Sequence, residues 1–114
     1  MALSATFFPV EAADEPGREN LDKLLRGIEE NDYSTFIADG TPLFKKSLTK
    51  AAFQSVSNQV APRLKKGYTT SYLEELKQQG CRVLLYKLSY SDGGDDTLAK
   101  LVLQDGKVAG FWLQ

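Results

Sequence analysis

The chain has 114 residues, of which 42% are hydrophobic and 25% charged, and its formal net charge at pH 7 is −1. This length fits one domain, and the composition is typical of folded proteins rather than disordered ones. The near-neutral charge argues against general nucleic-acid binding, which needs a basic surface to neutralise phosphates. No apolar run approaches the roughly 20 residues that a bilayer-spanning helix requires, so we expect no membrane partner.

Several common catalytic and metal sites are excluded by the residue types that the chain lacks. It has no histidine and a single cysteine, Cys81. Nucleophile systems built on histidine and zinc-binding cysteine clusters therefore cannot form. The segment SDGGDD clusters three carboxylates, but it lacks the spacing of a calcium-binding EF-hand loop, and a polar hairpin tip explains it. We assign no catalytic residue, no metal site and no cofactor.

The N-terminal segment differs from the rest of the chain. Residues 1–13 show no hydrophobic period and are predicted to form a loosely held arm before one domain over residues 14–114. The segment lacks the basic start of a signal peptide, which favours a cytoplasmic protein. A mature exported chain is the alternative.

Three helical segments are predicted ahead of any strand. Asp14 serves as N-cap of the first helix, Asp32 caps a short second one, and a loop begins at Thr41. Thr49 caps the third helix, which Pro62 should bend or shorten. The first helix has an apolar stripe of Leu21, Leu24, Leu25 and Ile28, and the third has one of Phe53, Val56, Val60 and Leu64.

Residues 68–78, YTTSYLEELKQ, fit two secondary structures. Ser71 and Glu74 have the spacing of a helix capping box. The tyrosines and threonines favour a strand, and Gly80 offers a turn into the next one. We predict a strand, with a helix as the alternative.

The remaining sequence predicts two hairpins, with turns at DGGD and at Asp105-Gly106. The fold class is therefore α+β, with N-terminal helices packed on a four-stranded antiparallel meander. The turns predict the pairs Gln104–Lys107, Leu103–Val108, Leu101–Gly110, Ala99–Trp112, Ser91–Asp96, Tyr86–Leu101 and Leu84–Leu103.

Side-chain alternation sorts these strands into two faces. One face, which includes Leu84, Tyr86, Leu101 and Trp112, is assigned to the helices. The other face is largely apolar, with Lys87 directly across from Lys100, and it has no helix to cover it. We expect this second face to be an interface, formed by Val83, Leu85, Lys87, Leu98, Lys100, Val102, Phe111 and Leu113.

The order of elements resembles the nuclear-transport-factor-2-like superfamily, which has the cystatin-like fold. The segments that carry the resemblance are NDYSTFIAD, LTKAAFQSVSNQVAPRL, LLYKLSY and AGFWLQ, within about residues 18–114. The chain is similar in particular to short bacterial members of uncharacterised function. The resemblance implies a sheet curled into a cone around the helices and a homodimer formed through the outer sheet face. It transfers no catalytic residue, because the histidine–aspartate pair of the enzymatic branches is missing.

Two functions are expected from these observations. The first is a binding or assembly module that homodimerises through the second face, without catalysis. The alternative is a small apolar ligand held in the cone between helices and sheet, in a pocket lined by Tyr33, Phe36, Phe53, Tyr86 and Trp112.

Overall fold

The structure, a computed structural model, describes residues 15–114, so the predicted arm of residues 1–13 and Asp14 lie outside the described residues. The described helices are α1 (Arg18–Glu29), α2 (Tyr33–Ile37), α3 (Pro42–Ser47) and α4 (Lys50–Lys65). The strands are β1 (Tyr68–Gln78), β2 (Cys81–Tyr90), β3 (Thr97–Gln104) and β4 (Lys107–Leu113). They form an antiparallel sheet in chain order, which confirms the α+β class with helices preceding strands.

The N-cap of helix α1 is Gly17 rather than the predicted Asp14, and its backbone conformation favours glycine. The φ angle of Gly17 is +69°, and a Cβ there would lie 2.5 Å from the side chain of Leu84. This close approach seats the start of the helix on the sheet. The predicted stripe of α1 is buried in full: Leu21, Leu24, Leu25 and Ile28.

Helix α3 replaces the loop that was predicted from Thr41. The hydroxyl of Thr41 accepts a hydrogen bond from the N–H of Phe44 at 3.1 Å, and Pro42 occupies the first helical turn. The prediction was wrong because six residues are too few to show a helical period. The N-caps of the neighbouring helices are as predicted, at Asp32 and Thr49.

Helix α4 runs through Pro62 and ends at Lys65. Pro62 is the fourth residue from the end of the helix, so the helix is not shortened there, although one backbone donor is lost. Phe53 and Leu64 are buried as predicted, but Val56 is 48% exposed. The buried face includes Ser57 instead, whose hydroxyl donates to the carbonyl oxygen of Ile28 at 2.6 Å.

The first hairpin confirms a strand at residues 68–78. Gln79 and Gly80 form its turn with φ angles of +53° and +79°. Tyr72 pairs with Tyr86 and Glu74 pairs with Leu85, so the residue between Tyr72 and Glu74 is an extra one and forms a β-bulge.

The β2–β3 pairing is displaced by two residues from the predicted register. Tyr86 pairs with Ala99, and Leu84 pairs with Leu101. A displacement of two residues keeps every side chain on its predicted face, because the strand period is two. Lys87 consequently pairs with Leu98 and is not directly across from Lys100.

The β3–β4 pairing changes register at a second bulge. Leu103 pairs with Val108 as predicted, but Val102 pairs with Gly110, so Ala109 is an extra residue. Beyond this point Leu101 pairs with Phe111 and Ala99 with Leu113, and the predicted pairs Leu101–Gly110 and Ala99–Trp112 are wrong. One inserted residue exchanges the two faces for the rest of the strand.

Candidate functional site

We define the outer face as the face of the sheet that points away from the helices. Six of the eight predicted interface residues lie on it: Val83, Leu85, Lys87, Leu98, Lys100 and Val102. Their cross-strand partners on β1 add Leu76 opposite Val83 and Glu74 opposite Leu85. The outer face therefore has an apolar centre on β2 and β3, whereas on β1 it also has Ser71, opposite Lys87, and Thr69, opposite Ser89.

Phe111 and Leu113 were assigned to this face, and the bulge moves them to the other one. Both side chains pack against the core, and the Phe111 ring lies 6.1 Å from the ring of Phe36. Trp112, assigned to the core, is on the outer face and is 49% exposed. The sequence did carry a signal for this correction, because a glycine inside a strand, here Gly110, often marks a bulge.

Trp112 is held flat against the outer face. A Cβ on Gly110 would lie 2.4 Å from the Trp112 ring, so the ring covers this glycine. The ammonium group of Lys100 lies 5.1 Å from the ring centroid, a distance at which a cation is attracted by the π system. A glycine at position 110 is thus what allows the indole to lie down on the strand.

The outer face has an ordered distribution of charge. One row of cross-strand neighbours runs from Glu74 on β1 through Leu85 and Lys100 to Trp112 on β4. The carboxylate of Glu74 and the ammonium group of Lys100 are on opposite sides of β2. Within residues 15–114 neither group forms an ion pair.

An apolar cavity of about 280 Å³ lies between the helices and β4. It extends around the edge of the sheet, because Trp112 lines it from the outer side of β4. The cavity is lined by residues from every helix and from β4: Ile28, Phe36, Phe44, Ser47, Leu48, Phe53, Val56, Ala109, Gly110, Phe111, Trp112 and Leu113.

Three of the five predicted pocket residues, Phe36, Phe53 and Trp112, line this cavity. Tyr33 contacts Phe53 with 5.7 Å between ring centroids and donates a hydrogen bond to the carbonyl oxygen of Leu48, but does not line the cavity. Tyr86 does not line the cavity and is buried against Tyr72 and Arg18. The residues that α3 and its neighbours contribute were missed, because α3 itself was not predicted.

The acidic loop between β2 and β3 is tied to helix α4. Arg63 donates to both carboxylate oxygens of Asp92, at 2.9 and 3.3 Å, and its guanidinium lies 3.7 Å from the ring centroid of Tyr90. Hydrogen bonding from Arg63 lowers the pKa of Asp92. This arrangement anchors the loop. In the described part of the chain, no group of three or more histidine, cysteine or acidic residues is placed to hold a metal ion.

Comparison with known proteins adds no assignment to this geometry. No protein-family model matches the chain, and no curated protein matches it with significance. Among the described helices, none is both long enough and apolar enough to cross a bilayer. The outer face and the cavity are the two candidate sites of the described residues.

Proposed function

We propose that this chain is a non-catalytic binding and assembly module that homodimerises through the outer face. The observation that carries the proposal is the apolar centre of the outer face, which no described helix covers, with Leu76 41% and Trp112 49% exposed. Contiguous apolar surface of several hundred Å² is characteristic of interaction sites. A second copy of the chain is the partner that best fits its charges.

The charge pattern of the outer face is self-complementary about β2. Strands β1 and β3 flank β2 at equal spacings of about 4.8 Å. A two-fold axis along β2 therefore sets Leu85 against its own copy and Glu74 opposite the partner's Lys100, twice per dimer. Lys87 also lies on β2, so its ammonium group has to extend past its copy toward solvent.

The same axis covers the apolar side chains that the sheet leaves most exposed. It sets Leu76 of one chain over the partner's Val102, because these residues lie in one row on either side of Val83. It carries Trp112 past the partner's β1 edge, next to Leu73, which is 50% exposed. In the dimer, each copy would thus bury exposed apolar side chains of the other.

Charge reversal tests this arrangement. Glu74→Lys or Lys100→Glu alone should weaken the dimer by about tenfold or more, because each puts like charges opposite each other twice. The double variant should restore most of the wild-type affinity. Sedimentation equilibrium measures all three, and Lys45→Glu, on the exposed surface of α3, is the matched control. A dimer that tolerates each single reversal would refute this pairing.

The family resemblance belongs to the same proposal. A nuclear-transport-factor-2-like domain would have the observed order of helices followed by an antiparallel meander. It would also form a dimer through the sheet face and a cone around a pocket. Both are expectations from the resemblance and agree with the outer face and cavity as candidate sites.

A second candidate function is binding of a small apolar ligand in the cavity. Its volume of about 280 Å³ is near the lower end for ligand sites, and its lining is dominated by aromatic and aliphatic side chains. A fluorescent apolar probe such as 1-aminoanthracene should bind the wild type and lose affinity in Val56→Phe, which narrows the cavity from its half-exposed rim. Equal binding by both proteins would rule out this site.

A further inference from the structure

The interior of the cavity offers almost nothing that could hold a polar part of a ligand. Apart from the indole of Trp112, only one lining side chain is polar, that of Ser47. Its hydroxyl donates to the carbonyl oxygen of Phe44 at 3.1 Å. A charged head that left water for this interior would lose its hydrogen bonds without replacement. A ligand should therefore be apolar over the part that enters and keep a polar head at the opening.

The opening of the cavity at the edge of the sheet is bordered by a cation. Trp112 lines the cavity from the outer side of β4, and the ammonium group of Lys100 lies 5.1 Å from the centroid of its ring. An ammonium group that rests on an aromatic ring still has N–H donors directed away from that ring. Lys100 is half-buried, so its charge is held at this place rather than spread through solvent.

Lys87 is a second cation within reach of the same opening. Lys100 pairs with Leu85, and Lys87 follows two residues later on β2, so the two lysines are diagonal neighbours on the outer face. Such neighbours are about 7–8 Å apart, a distance that long side chains can bridge. The carboxylate of the same row, that of Glu74, is on the other side of β2. The charge beside the opening is therefore positive.

The helices on the other side of the cavity are also basic. Helix α3 contributes Phe44 and Ser47 to the lining, and Lys45 and Lys46 are in its last turn. Residues 40–73, which include α3 and α4, have six lysines and arginines and no acidic residue. A cleft bordered by one sign of charge attracts ligands of the opposite sign. The surroundings of the cavity thus favour an anion over a cation.

We propose that the ligand of this cavity is an amphiphile with an apolar chain of medium length and a singly charged carboxylate head. The chain fills the space between the helices and β4, whose volume of about 280 Å³ suits a small ligand. The carboxylate lies at the opening beside Trp112 and accepts a hydrogen bond from the ammonium group of Lys100. This inference rests on the second candidate function, ligand binding in the cavity, and not on the dimer.

The proposed head position has a consequence for the proposed dimer. The ammonium group of Lys100 faces the partner's Glu74 in that dimer, so the ligand carboxylate and the partner compete for one cation. Because linkage is reciprocal, such a ligand should favour the monomer, and dimerisation should weaken ligand binding by the same factor.

Displacement of 1-aminoanthracene by octanoate and by octan-1-ol at neutral pH tests the inference, because the two compounds have the same chain and different heads. The wild type should favour octanoate. Lys100→Gln should lower the ratio of octanoate to octanol affinity by about fivefold or more, because a charge-assisted hydrogen bond is lost. Octanol affinity itself should not change, which reports an intact cavity. Lys107→Gln, which removes the same charge at the β3–β4 turn, is the control and should keep the wild-type ratio.

Two results would overturn the inference while leaving the cavity as a ligand site. The first is a wild-type protein that favours octanol over octanoate. The second is an equal affinity ratio in the wild type and Lys100→Gln, which would place the head elsewhere. Displacement by neither compound would overturn both the inference and the second candidate function.

Glu74→Gln separates the inference from the proposed dimer. At concentrations where the wild type is dimeric, this variant should bind octanoate more tightly, because the competing carboxylate is gone. A wild-type preference for octanoate that depends on Lys100, with no change in Glu74→Gln, would support the inference and contradict the pairing of Glu74 with Lys100 in the dimer.

Discussion

Tyr86 shows how a single side chain connects the two layers of the fold. Its side chain is on the helix-facing side of β2 and is fully buried. The hydroxyl donates to the carbonyl oxygen of Pro16 at 2.6 Å, and the ring lies 5.4 Å from that of Tyr72 and 5.0 Å from the guanidinium of Arg18. It therefore fixes the entry into α1, and it does so in its neutral form.

Burial raises the pKa of Tyr86 from its ordinary value of 10.0 to about 12. The folded state thus holds the proton more tightly than the unfolded state. The stability from this group is fully present below pH 10 and is lost as pH rises toward about 12. Burial shifts the pKa values of Tyr68 and Tyr72 in the same direction.

Tyr86→Phe should therefore have two effects. At neutral pH it should cost about 1 kcal/mol of unfolding free energy, because the Pro16 carbonyl loses its donor. Between pH 10 and 12 its stability should fall less steeply than that of the wild type. Guanidinium denaturation followed by circular dichroism at several pH values measures both, and parallel alkaline profiles would contradict this account of Tyr86.

At the scale of elements, strand β4 determines what each face of the sheet displays. The turn at Asp105-Gly106 was readable from sequence because its residues accept positive φ angles, and the first pair of the hairpin followed from it. The bulge at Ala109 was missed although Gly110 is a signal for it, since apolar residues on both faces leave the register weakly specified. The wrong register placed Phe111 on the outer face and Trp112 in the core, whereas Phe111 packs on the core and Trp112 lies on the outer face.

The other elements also divide into those that could be predicted from sequence and those that could not. The helix α1 stripe and the caps at Asp32 and Thr49 depend on local chemistry, and they were predicted. Helix α3 is short and depends on its neighbours: it follows the Gly40–Val108 bridge, and Phe44 packs 6.0 Å from Phe36. The cavity required α3 and the bulge together, so its lining could be predicted only in part.

The revised register makes a quantitative prediction about two adjacent residues. Phe111→Ala should cost roughly 2–3 kcal/mol of unfolding free energy, because the ring is packed against the core. Trp112→Ala should cost clearly less in the monomer, since the indole is half exposed. Chemical denaturation at low protein concentration compares them directly. A larger loss for Trp112→Ala would favour the regular ladder without the bulge.

At the scale of the whole molecule, two candidate surfaces meet at one residue. The outer face and the cavity lie on opposite sides of the sheet, and Trp112 belongs to both because β4 is an edge strand. Charge is also unevenly distributed, with a net charge of −1 for the chain but only basic charges over residues 40–73. Dimerisation and ligand binding should therefore both be visible in the emission of this one tryptophan.

The oligomeric state of the wild-type chain tests the central claim most directly. Sedimentation velocity over a range of concentrations should show a species of twice the chain mass of 12.6 kDa. It should dissociate on dilution and be absent in Leu85→Asp, which places a carboxylate at the proposed two-fold axis. A wild-type protein that stays at the monomer mass at every concentration would contradict the proposal that the outer face is a dimer interface.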